Sequence, residues 1–300
     1  MDYGAAIRER KLSSVWRTDD FSRLLGQLET YLPSADLPGI AAAYEYGAKA
    51  HEGQQRRSGD AYITHPVAVA EILAGLHLDS GSIKAALLHD VLEDTSSTLA
   101  DIESRFGADV ARLVDGVSKI DHLRFDSAAE AQAESFRKML LAMAKDLRVI
   151  LVKLADRTHN MRTIQSLPLE KQRRIARETL DVYAPLAGRL GIQWIKDELE
   201  DLSFKYLYPE AYAQLVRKLE KASRDSDKYI DRVVGQLQQM IAEAAVSEVK
   251  ITGRLKHLFS ISPSVVSVSS TVSCNRPVAT LGTSSLSSAM MLATWTGWVR

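Results

Sequence analysis

Cysteine is almost absent from this sequence of 300 residues: its one cysteine is Cys274. Residues 1–273 can therefore form neither a disulfide bond nor a cysteine-ligated zinc site. Excess charge is also lacking, because 38 Lys and Arg residues balance 38 Asp and Glu residues. This balance disfavours a general nucleic-acid-binding protein. The first residues, which include Arg8 and Arg17 among polar neighbours, lack the apolar core of a signal peptide, so we expect a cytoplasmic protein.

Residues 262–300 contain no Asp, Glu, Lys or His and are rich in Ser and Thr. The uncharged stretch 277–299 is long enough to raise the possibility of a membrane span. Its many hydroxyl side chains and its glycines argue against one. We therefore expect no membrane partner, and we expect this tail to be irregular and disordered.

Apolar residues recur at helical spacing from Leu37 to Leu258, which predicts an all-α fold. The run from Val149 to Val152 is mostly β-branched and could be taken for a strand, but the periodicity on either side favours a buried helix. Ser80 is expected to cap a helix that carries His89 further along.

That helix brings an imidazole and three carboxylates to the end of an apolar stretch, at His89, Asp90, Glu93 and Asp94. Residues three and four apart share a helix face, so His89 would lie one turn from Glu93, and Asp90 one turn from Asp94. An adjacent His and Asp can offer a nitrogen and an oxygen to one divalent metal. The alternative is a helix end with ordinary surface acids.

Four residues in separate parts of the sequence are candidate metal ligands: His65, His89, Asp90 and Asp156. Two imidazoles and two carboxylates suit a divalent ion such as Mn²⁺, Fe²⁺ or Zn²⁺. Taken separately, His65 could be a helix-start residue before Pro66, and Asp156 a surface acid.

Arg56, Arg57 and Ser58 form part of a polar loop before His65. Forked guanidinium donors and a hydroxyl would fit a phosphate-bearing substrate, although a solvated basic loop has the same composition.

A groove can be formed by Asp156, Asn160 and Thr163, which follow one another at intervals of about one helical turn. His159 could be a packed or an exposed histidine and is not assigned as a ligand, and His51 is interpreted as structural.

Three segments share their order and spacing with a known family: His51-x-Gly53-Gln54-x-Arg56-Arg57-Ser58-Gly59-x-x-Tyr62-Ile63-x-His65-Pro66, His89-Asp90-x-x-Glu93-Asp94-Thr95 and Asp156-Arg157-x-x-Asn160-Met161-Arg162-Thr163. Roughly residues 1–261 resemble the N-terminal region of the RelA/SpoT homologues, the bifunctional synthetases and hydrolases of the alarmone (p)ppGpp. The similarity lies in their HD hydrolase domain.

The resemblance implies an all-α HD-type helical bundle that hydrolyses the 3′-pyrophosphate of (p)ppGpp to GDP or GTP and pyrophosphate. It implies Mn²⁺ at His65, His89, Asp90 and Asp156. The acidic pair Glu93 and Asp94 matches the positions assigned to water activation and catalysis. The substrate pocket corresponds to Arg56, Arg57, Ser58, Asn160 and Thr163. Arg57 departs mildly from the family pattern, in which Lys is common.

The family's synthetase begins close to residues 251–261, and the likeness stops after Ile261. No acidic residue follows to bind the Mg²⁺ that pyrophosphoryl transfer needs, so synthetase activity is predicted to be absent. We expect an HD hydrolase domain over residues 1–200, a helical linker with the start of a truncated synthetase over 201–261, and an aberrant tail over 262–300. A frameshifted reading of the synthetase gene would explain the tail.

Two other functions stay open at this point. The domain could be an HD phosphohydrolase that acts on another nucleotide. It could instead be a catalytically silent remnant that binds nucleotide for regulation.

Overall fold

The computed structural model describes residues 19–121, 146–218 and 258–261. These ranges are helical and contain no β-strand; an isolated antiparallel bridge joins Gln55 and Ala61. The expected all-α fold is thereby confirmed for the described part of the chain. The expectations for the N-terminal residues, most of the linker and the Ser/Thr-rich tail concern residues outside these ranges.

The helices follow the chain in a simple order. They are α1 (Asp19–Leu28), α2 (Leu37–Ala50), α3 (Thr64–Gly75), α4 (Ser80–Leu88), α5 (Val91–Asp94), α6 (Leu99–Phe106), α7 (Ala108–Asp121), α8 (Leu147–Arg162), α9 (Leu169–Glu178), α10 (Ala184–Arg189), α11 (Gln193–Leu207) and α12 (Leu258–Ile261). A 3₁₀ turn, Ile164–Ser166, follows α8, and a π-helical turn, Thr179–Tyr183, joins α9 to α10.

Helix α4 lies at the centre of the bundle and packs against α2, α3 and α7. Its side chains are apolar on almost every face, which is the pattern of a helix buried in a core. Full burial is shared by Ile83, Ala85, Ala86, Leu87 and Leu88. Helix α8 packs against α3 and α7, so α3, α4 and α8 meet in the interior.

Gly47 allows α2 to approach α4 closely. A Cβ atom at this position would lie 2.9 Å from the carbonyl oxygen of Leu87, which is closer than real Cβ contacts come. A glycine is therefore required where the two helix backbones cross.

Helix α4 begins one residue differently from the sequence-based expectation. The N-cap is Asp79, whose carboxylate accepts a hydrogen bond from the backbone N–H of Ser82, so the expected cap at Ser80 was wrong. Helix α6 begins at Leu99, and its N-cap, Thr98, forms a capping box with Asp101.

The β-branched run is helical, as expected. Val149, Ile150 and Val152 are buried within α8. Asp146 caps this helix by accepting a hydrogen bond from the backbone N–H of Arg148. Burial between two neighbouring helices outweighs the modest helix propensity of valine and isoleucine.

The chain separates into two compact units, residues 1–199 and 200–300. In the second unit, the carboxylate of Asp201 accepts hydrogen bonds from the backbone N–H groups of Leu258 and Phe259. No described helix combines the length and the apolar character that a membrane crossing requires. The predicted division at residues 200 and 261 into hydrolase, linker and tail stays a prediction.

Candidate metal centre

Three buried side chains from three different elements converge inside the first unit. His65 lies on α3, His89 follows α4, and Asp156 lies on α8. One candidate ligand atom from each of them lies within 4.8 Å of the other two. Their exposed fractions are 2%, 1% and 4%, so solvent contributes little to balancing their charge. This geometry suits a single enclosed cation.

Asp90 completes the group from the solvent side. Its carboxylate oxygens lie 3.0 Å from His89 Nε2 and 3.6 Å from His65 Nε2. Asp156 Oδ1 lies 3.2 Å from His65 Nε2 and 3.9 Å from His89 Nε2. Both imidazoles therefore turn Nε2 toward the two carboxylates. The structure thus brings together the four ligands that the sequence predicts.

The local backbone differs from the expected continuous helix. Helix α4 ends at Leu88, His89 and Asp90 form a turn, and the short helix α5 begins at Val91. Glu93 and Asp94 lie on α5, and both are exposed. The turn separates the buried imidazole from the exposed acids, so one continuous helix face does not relate them.

His89 provides a test of whether a metal fits. Its Nδ1 lies 2.8 Å from the carbonyl oxygen of Ala86, so the Nδ1 hydrogen donates to that oxygen. Its Nε2 is buried and makes no hydrogen bond among the described residues. A neutral imidazole in this tautomer presents its lone pair to Asp90 and Asp156, an arrangement that a cation between them would stabilise. The residues present therefore fit a divalent metal.

The pKa values of the histidines and acids in this cluster indicate that the carboxylates give it an excess of negative charge. Burial lowers the pKa of His89, but Asp90 and Asp156 outweigh burial and raise it to about 9. Burial lowers the pKa of His65 despite its contact with Asp156. Burial raises the pKa of Asp90, yet the neighbouring imidazoles bring it below its usual range. Asp90 is therefore ionised at neutral pH.

Lys153 fixes the orientation of Asp156. Its ammonium group is buried and donates to Asp156 Oδ2 at 2.6 Å. Although burial raises the pKa of Asp156, Lys153 and then His65 hold it well below the usual range. Because Oδ2 is engaged, Oδ1 is the oxygen that faces the imidazoles. Lys153 was not among the residues predicted from the sequence, although it lies about one helical turn before Asp156.

Asn160 connects this cluster with the polar loop before α3. Its amide nitrogen donates to Asp156 Oδ1 at 2.5 Å, and its oxygen accepts from Arg56 Nη2 at 3.0 Å. Thr163, at the end of α8, donates its hydroxyl to the backbone oxygen of His159 at 3.1 Å. The expected groove along α8 therefore contains Asp156 and Asn160 in direct contact.

The other two loop residues are less closely connected. Arg57 and Ser58 are exposed, and the hydroxyl of Ser58 donates to Asp60 at 2.8 Å. Within the described residues, no hydrogen bond or ion pair joins Arg57 or Ser58 to the cluster. Arg57 and Ser58 therefore share the loop of Arg56 without sharing its contact with Asn160.

Tyr62 is a polar member of the site to which the sequence analysis gave no role. Its hydroxyl lies 2.9 Å from Asp90 Oδ2 and 2.5 Å from Asp94 Oδ2. Its ring stacks on His51 at a centroid distance of 4.3 Å. Burial and then the charge of Asp90 raise its pKa, so the hydroxyl keeps its hydrogen. Its position three residues before His65 was the available signal.

His159 makes contact with a candidate ligand, which its sequence context left undecided. Its Nδ1 lies 2.7 Å from Nδ1 of His65. Burial, followed by the positive charge of His65 and Arg56, lowers the pKa of His159 to about 3. The ring is therefore neutral at physiological pH. The signal that could have identified it is its spacing of three residues from Asp156 on one helix.

Comparison with known proteins agrees with this geometry. A family model described as HD domain matches residues 43–193. The bifunctional (p)ppGpp synthase/hydrolase SpoT of Escherichia coli is 52% identical over 242 residues, which cover 80% of this chain and 34% of that protein. A GTP pyrophosphokinase of Myxococcus xanthus is 52% identical over 236 residues, which cover 77% and 31% respectively.

A solved structure, described as that of a metazoan ortholog of SpoT that hydrolyses ppGpp, covers 58% of this chain and 96% of its own, at 27% identity and a TM-score of 0.40. The chain spans about a third of the length of the curated relatives named above. The sequence identities confirm the resemblance to the RelA/SpoT homologues. The matched family model covers half of the sequence and includes all four candidate ligands, and the chain accordingly belongs to the HD domain family.

Proposed function

We propose that this chain hydrolyses the 3′-pyrophosphate of (p)ppGpp in a Mn²⁺-dependent reaction, with GDP or GTP and pyrophosphate as products. The observation that carries the proposal is the buried convergence of His65, His89 and Asp156, in which Nε2 of both imidazoles faces the carboxylates. Relatives named guanosine-3′,5′-bis(diphosphate) 3′-pyrophosphohydrolase, in Shigella flexneri and Vibrio cholerae, support the choice of substrate.

The proposed metal ligands are His65, His89, Asp90 and Asp156. When bound, a divalent metal lowers the pKa of a coordinated water and offsets charge that develops on phosphate oxygens. The donor set contains two nitrogen and two oxygen atoms and no thiolate. It supports Mn²⁺ among the candidates, because carboxylates suit this ion and imidazoles can also coordinate it. Lys153 and Asn160 keep Asp156 in a fixed orientation for this task.

Arg56, Arg57 and Ser58 are proposed to bind the anionic part of the substrate, together with Asn160 and Thr163. Arg56 already reaches Asn160 over the cluster, so a phosphate placed there would meet a guanidinium group beside the reacting bond. Arg57 is exposed on the same loop and can turn toward a second phosphate. Such donors bind phosphate oxygens and balance their charge.

Glu93 and Asp94 are proposed to orient the attacking water and to accept its proton. The contact of Tyr62 with both Asp90 and Asp94 supports a position for Asp94 next to the metal ligands. Asp94 is also exposed, so a proton taken from water could pass to solvent.

The proposed setting is the cytoplasm, with a small nucleotide as partner and with neither nucleic acid nor a membrane. The even balance of 38 basic and 38 acidic residues supports this setting. The predicted absence of synthetase activity stays part of the proposal.

The test is to follow pyrophosphate release from ppGpp by the purified chain with and without Mn²⁺, beside Asp90→Asn. We expect metal-dependent release that falls more than about 100-fold in Asp90→Asn, because even outer-shell partners of a metal are worth about 10–100-fold. Asp115→Asn is the matched control, since Asp115 forms its ion pair with Lys119 within α7, a helix that carries none of the four proposed ligands.

Two results would contradict the proposal. One is a folded, Mn²⁺-loaded protein that releases no pyrophosphate from ppGpp, as a silent nucleotide-binding remnant would behave. The other is faster hydrolysis of GTP, GDP or another ordinary nucleotide than of ppGpp, which would indicate a different phosphohydrolase.

A further inference from the structure

The contact between His65 and His159 joins like atoms. Nδ1 of one imidazole lies 2.7 Å from Nδ1 of the other. Two bare ring nitrogens repel at this distance, and two N–H groups would clash, so one hydrogen lies between them. The tautomer of one neutral ring therefore determines the tautomer of the other.

Two arrangements satisfy this condition. In the first, His65 carries its hydrogen on Nε2, where Asp156 Oδ1 lies 3.2 Å away, and His159 donates from Nδ1. In the second, His65 carries its hydrogen on Nδ1 and donates it to His159. Only the second arrangement exposes a lone pair on His65 Nε2, which is the atom that faces the other candidate ligands.

We propose that His159 is a positioning residue, which accepts the Nδ1 hydrogen of His65 and so holds His65 in the tautomer that binds metal through Nε2. This inference rests on the metal centre of the proposed function. Metal ligands of this kind commonly donate their second ring N–H to an outer partner, which sets the ring orientation and its basicity.

The change between the two arrangements conserves protons. When a cation occupies the site, the hydrogen of His65 passes from Nε2 to Nδ1, and that of His159 passes from Nδ1 to Nε2. His65 loses no hydrogen overall, and it keeps a hydrogen bond to His159 in both states. A partner that could only accept would leave His65 Nδ1 unsatisfied in the first state.

His89 shows the alternative solution in the same cluster. Its partner is the carbonyl oxygen of Ala86, which can only accept, so its Nδ1 hydrogen is fixed. One ligand is thus held in a single tautomer by the backbone, while the other is held by a side chain that can donate or accept.

The experiment measures the Kd for Mn²⁺ by titration calorimetry for the wild type, His159→Leu and His159→Asn. Leucine removes the acceptor at similar volume, whereas the asparagine oxygen occupies a position like that of Nδ1 and can accept. We expect Kd to rise about 10–100-fold in His159→Leu and to return to within about threefold of the wild type in His159→Asn. His77→Asn is the matched control, because His77 packs on Tyr31 and asparagine tolerates its positive φ of 55°.

The outcomes separate the two proposals. A wild type that does not bind Mn²⁺ would overturn the metal centre, and this inference with it. Mn²⁺ binding that is equally tight in the wild type and in His159→Leu would overturn this inference alone. Equal weakening by leucine and asparagine would also overturn it, since a purely packing role predicts that result.

A second measurement needs no variant at position 159. Two-bond proton–nitrogen NMR of the wild type, loaded with diamagnetic Zn²⁺, reports the tautomer of each histidine. We expect a hydrogen on Nδ1 of His65 and on Nε2 of His159. A hydrogen on Nδ1 of His159 in the loaded protein would contradict the proposal.

Discussion

Helix α8 carries two clusters of acids, one at its amino end and one around Asp156 in its second half, and the clusters differ in how their charge is balanced. At the amino end, the guanidinium of Arg148 donates to Asp79, Asp109 and Asp146 over distances of 2.7–3.2 Å. Further along, Asp156 shares a buried space with His65 and His89. The first cluster has a guanidinium at its centre, whereas the second groups the carboxylate of Asp156 with two imidazoles.

Exposure explains why both arrangements are stable. The side chains of Asp79, Asp109 and Asp146 are 54%, 47% and 32% exposed, so water solvates the charge that Arg148 leaves over. The side chain of Asp156 is buried and has Lys153 as a buried cation. Buried charge has to be compensated by protons or by a bound ion, because solvent cannot reach it. Burial, more than the number of acids, distinguishes a metal site from a surface ion-pair network.

The largest expected effect comes from comparing Asp156→Asn with Asp146→Asn, which make the same chemical change in the two clusters along α8. Asp156→Asn should weaken Mn²⁺ binding more than about 100-fold, because it removes a ligand charge and leaves Lys153 without its carboxylate. Asp146→Asn should leave the Kd for Mn²⁺ unchanged and lower the free energy of unfolding by less than about 1 kcal/mol through the weakened ion pair with Arg148, because asparagine caps a helix about as well as aspartate. Titration calorimetry and urea denaturation measure the two effects; equal Kd values in the two variants would remove the distinction.

A smaller effect is expected from pH, since the pKa of His89 is about 9 in the metal-free protein. Metal binding must displace that proton, so the Kd for Mn²⁺ should improve about tenfold for each pH unit between 7 and 8.5 and level off above 9. Because the folded pKa is raised, the proton stabilises metal-free protein below about pH 6.5, and this stability is lost as pH rises through 9. Calorimetry in buffers of different ionisation enthalpy counts the protons released; a Kd independent of pH would contradict this.

The smallest effect is expected for Arg148→Met. Hydrogen bonds from Arg148 lower the pKa of Asp109 and Asp146 despite their partial burial, so this stability is present above about pH 4 and is lost as pH falls further. The free energy of unfolding of the variant should be lower by only about 1–2 kcal/mol at pH 7, because a partly exposed ion-pair network contributes little. It should also decrease less steeply than that of the wild type between pH 5 and 3. Urea denaturation across this pH range measures the change. A weaker Mn²⁺ affinity in Arg148→Met would show that the two clusters are coupled.

Helical periodicity predicted much of the fold. The run from Val149 to Val152 was assigned correctly, because apolar periodicity extends beyond it on both sides. The start of α4 was misassigned to Ser80, since Asp79 and Ser80 are both good caps and their backbone angles decide which one is used. The turn at His89 and Asp90 was also missed, because neither Gly nor Pro interrupts the sequence there.

The convergence of the candidate ligands could be expected from the sequence, but the residues that contact them could not. His65, His89, Asp90 and Asp156 were selected by residue type and order. The contacts of Tyr62 with the acids, and of His159 with His65, depend on how α3 and α8 cross in space. The periodicity of a single sequence indicates which face of a helix is buried, but it does not show which residues of another helix pack against that face. The assigned roles of Glu93, Asp94, Arg57 and Ser58 stay predictions for the same reason.

The end of α4 has a consequence for the entropy of ion capture. Carbonyl groups in the last turn of a helix lack the backbone partners of the interior, and Ala86 lies in that turn. Its oxygen engages the ring of His89, which is 1% exposed and so has little rotational freedom before any ion arrives. Ordering a free side chain costs about 0.5–1.5 kcal/mol on binding. By stopping one residue before His89, the helix supplies that order during folding, and an arriving ion meets a side chain whose freedom has already been lost.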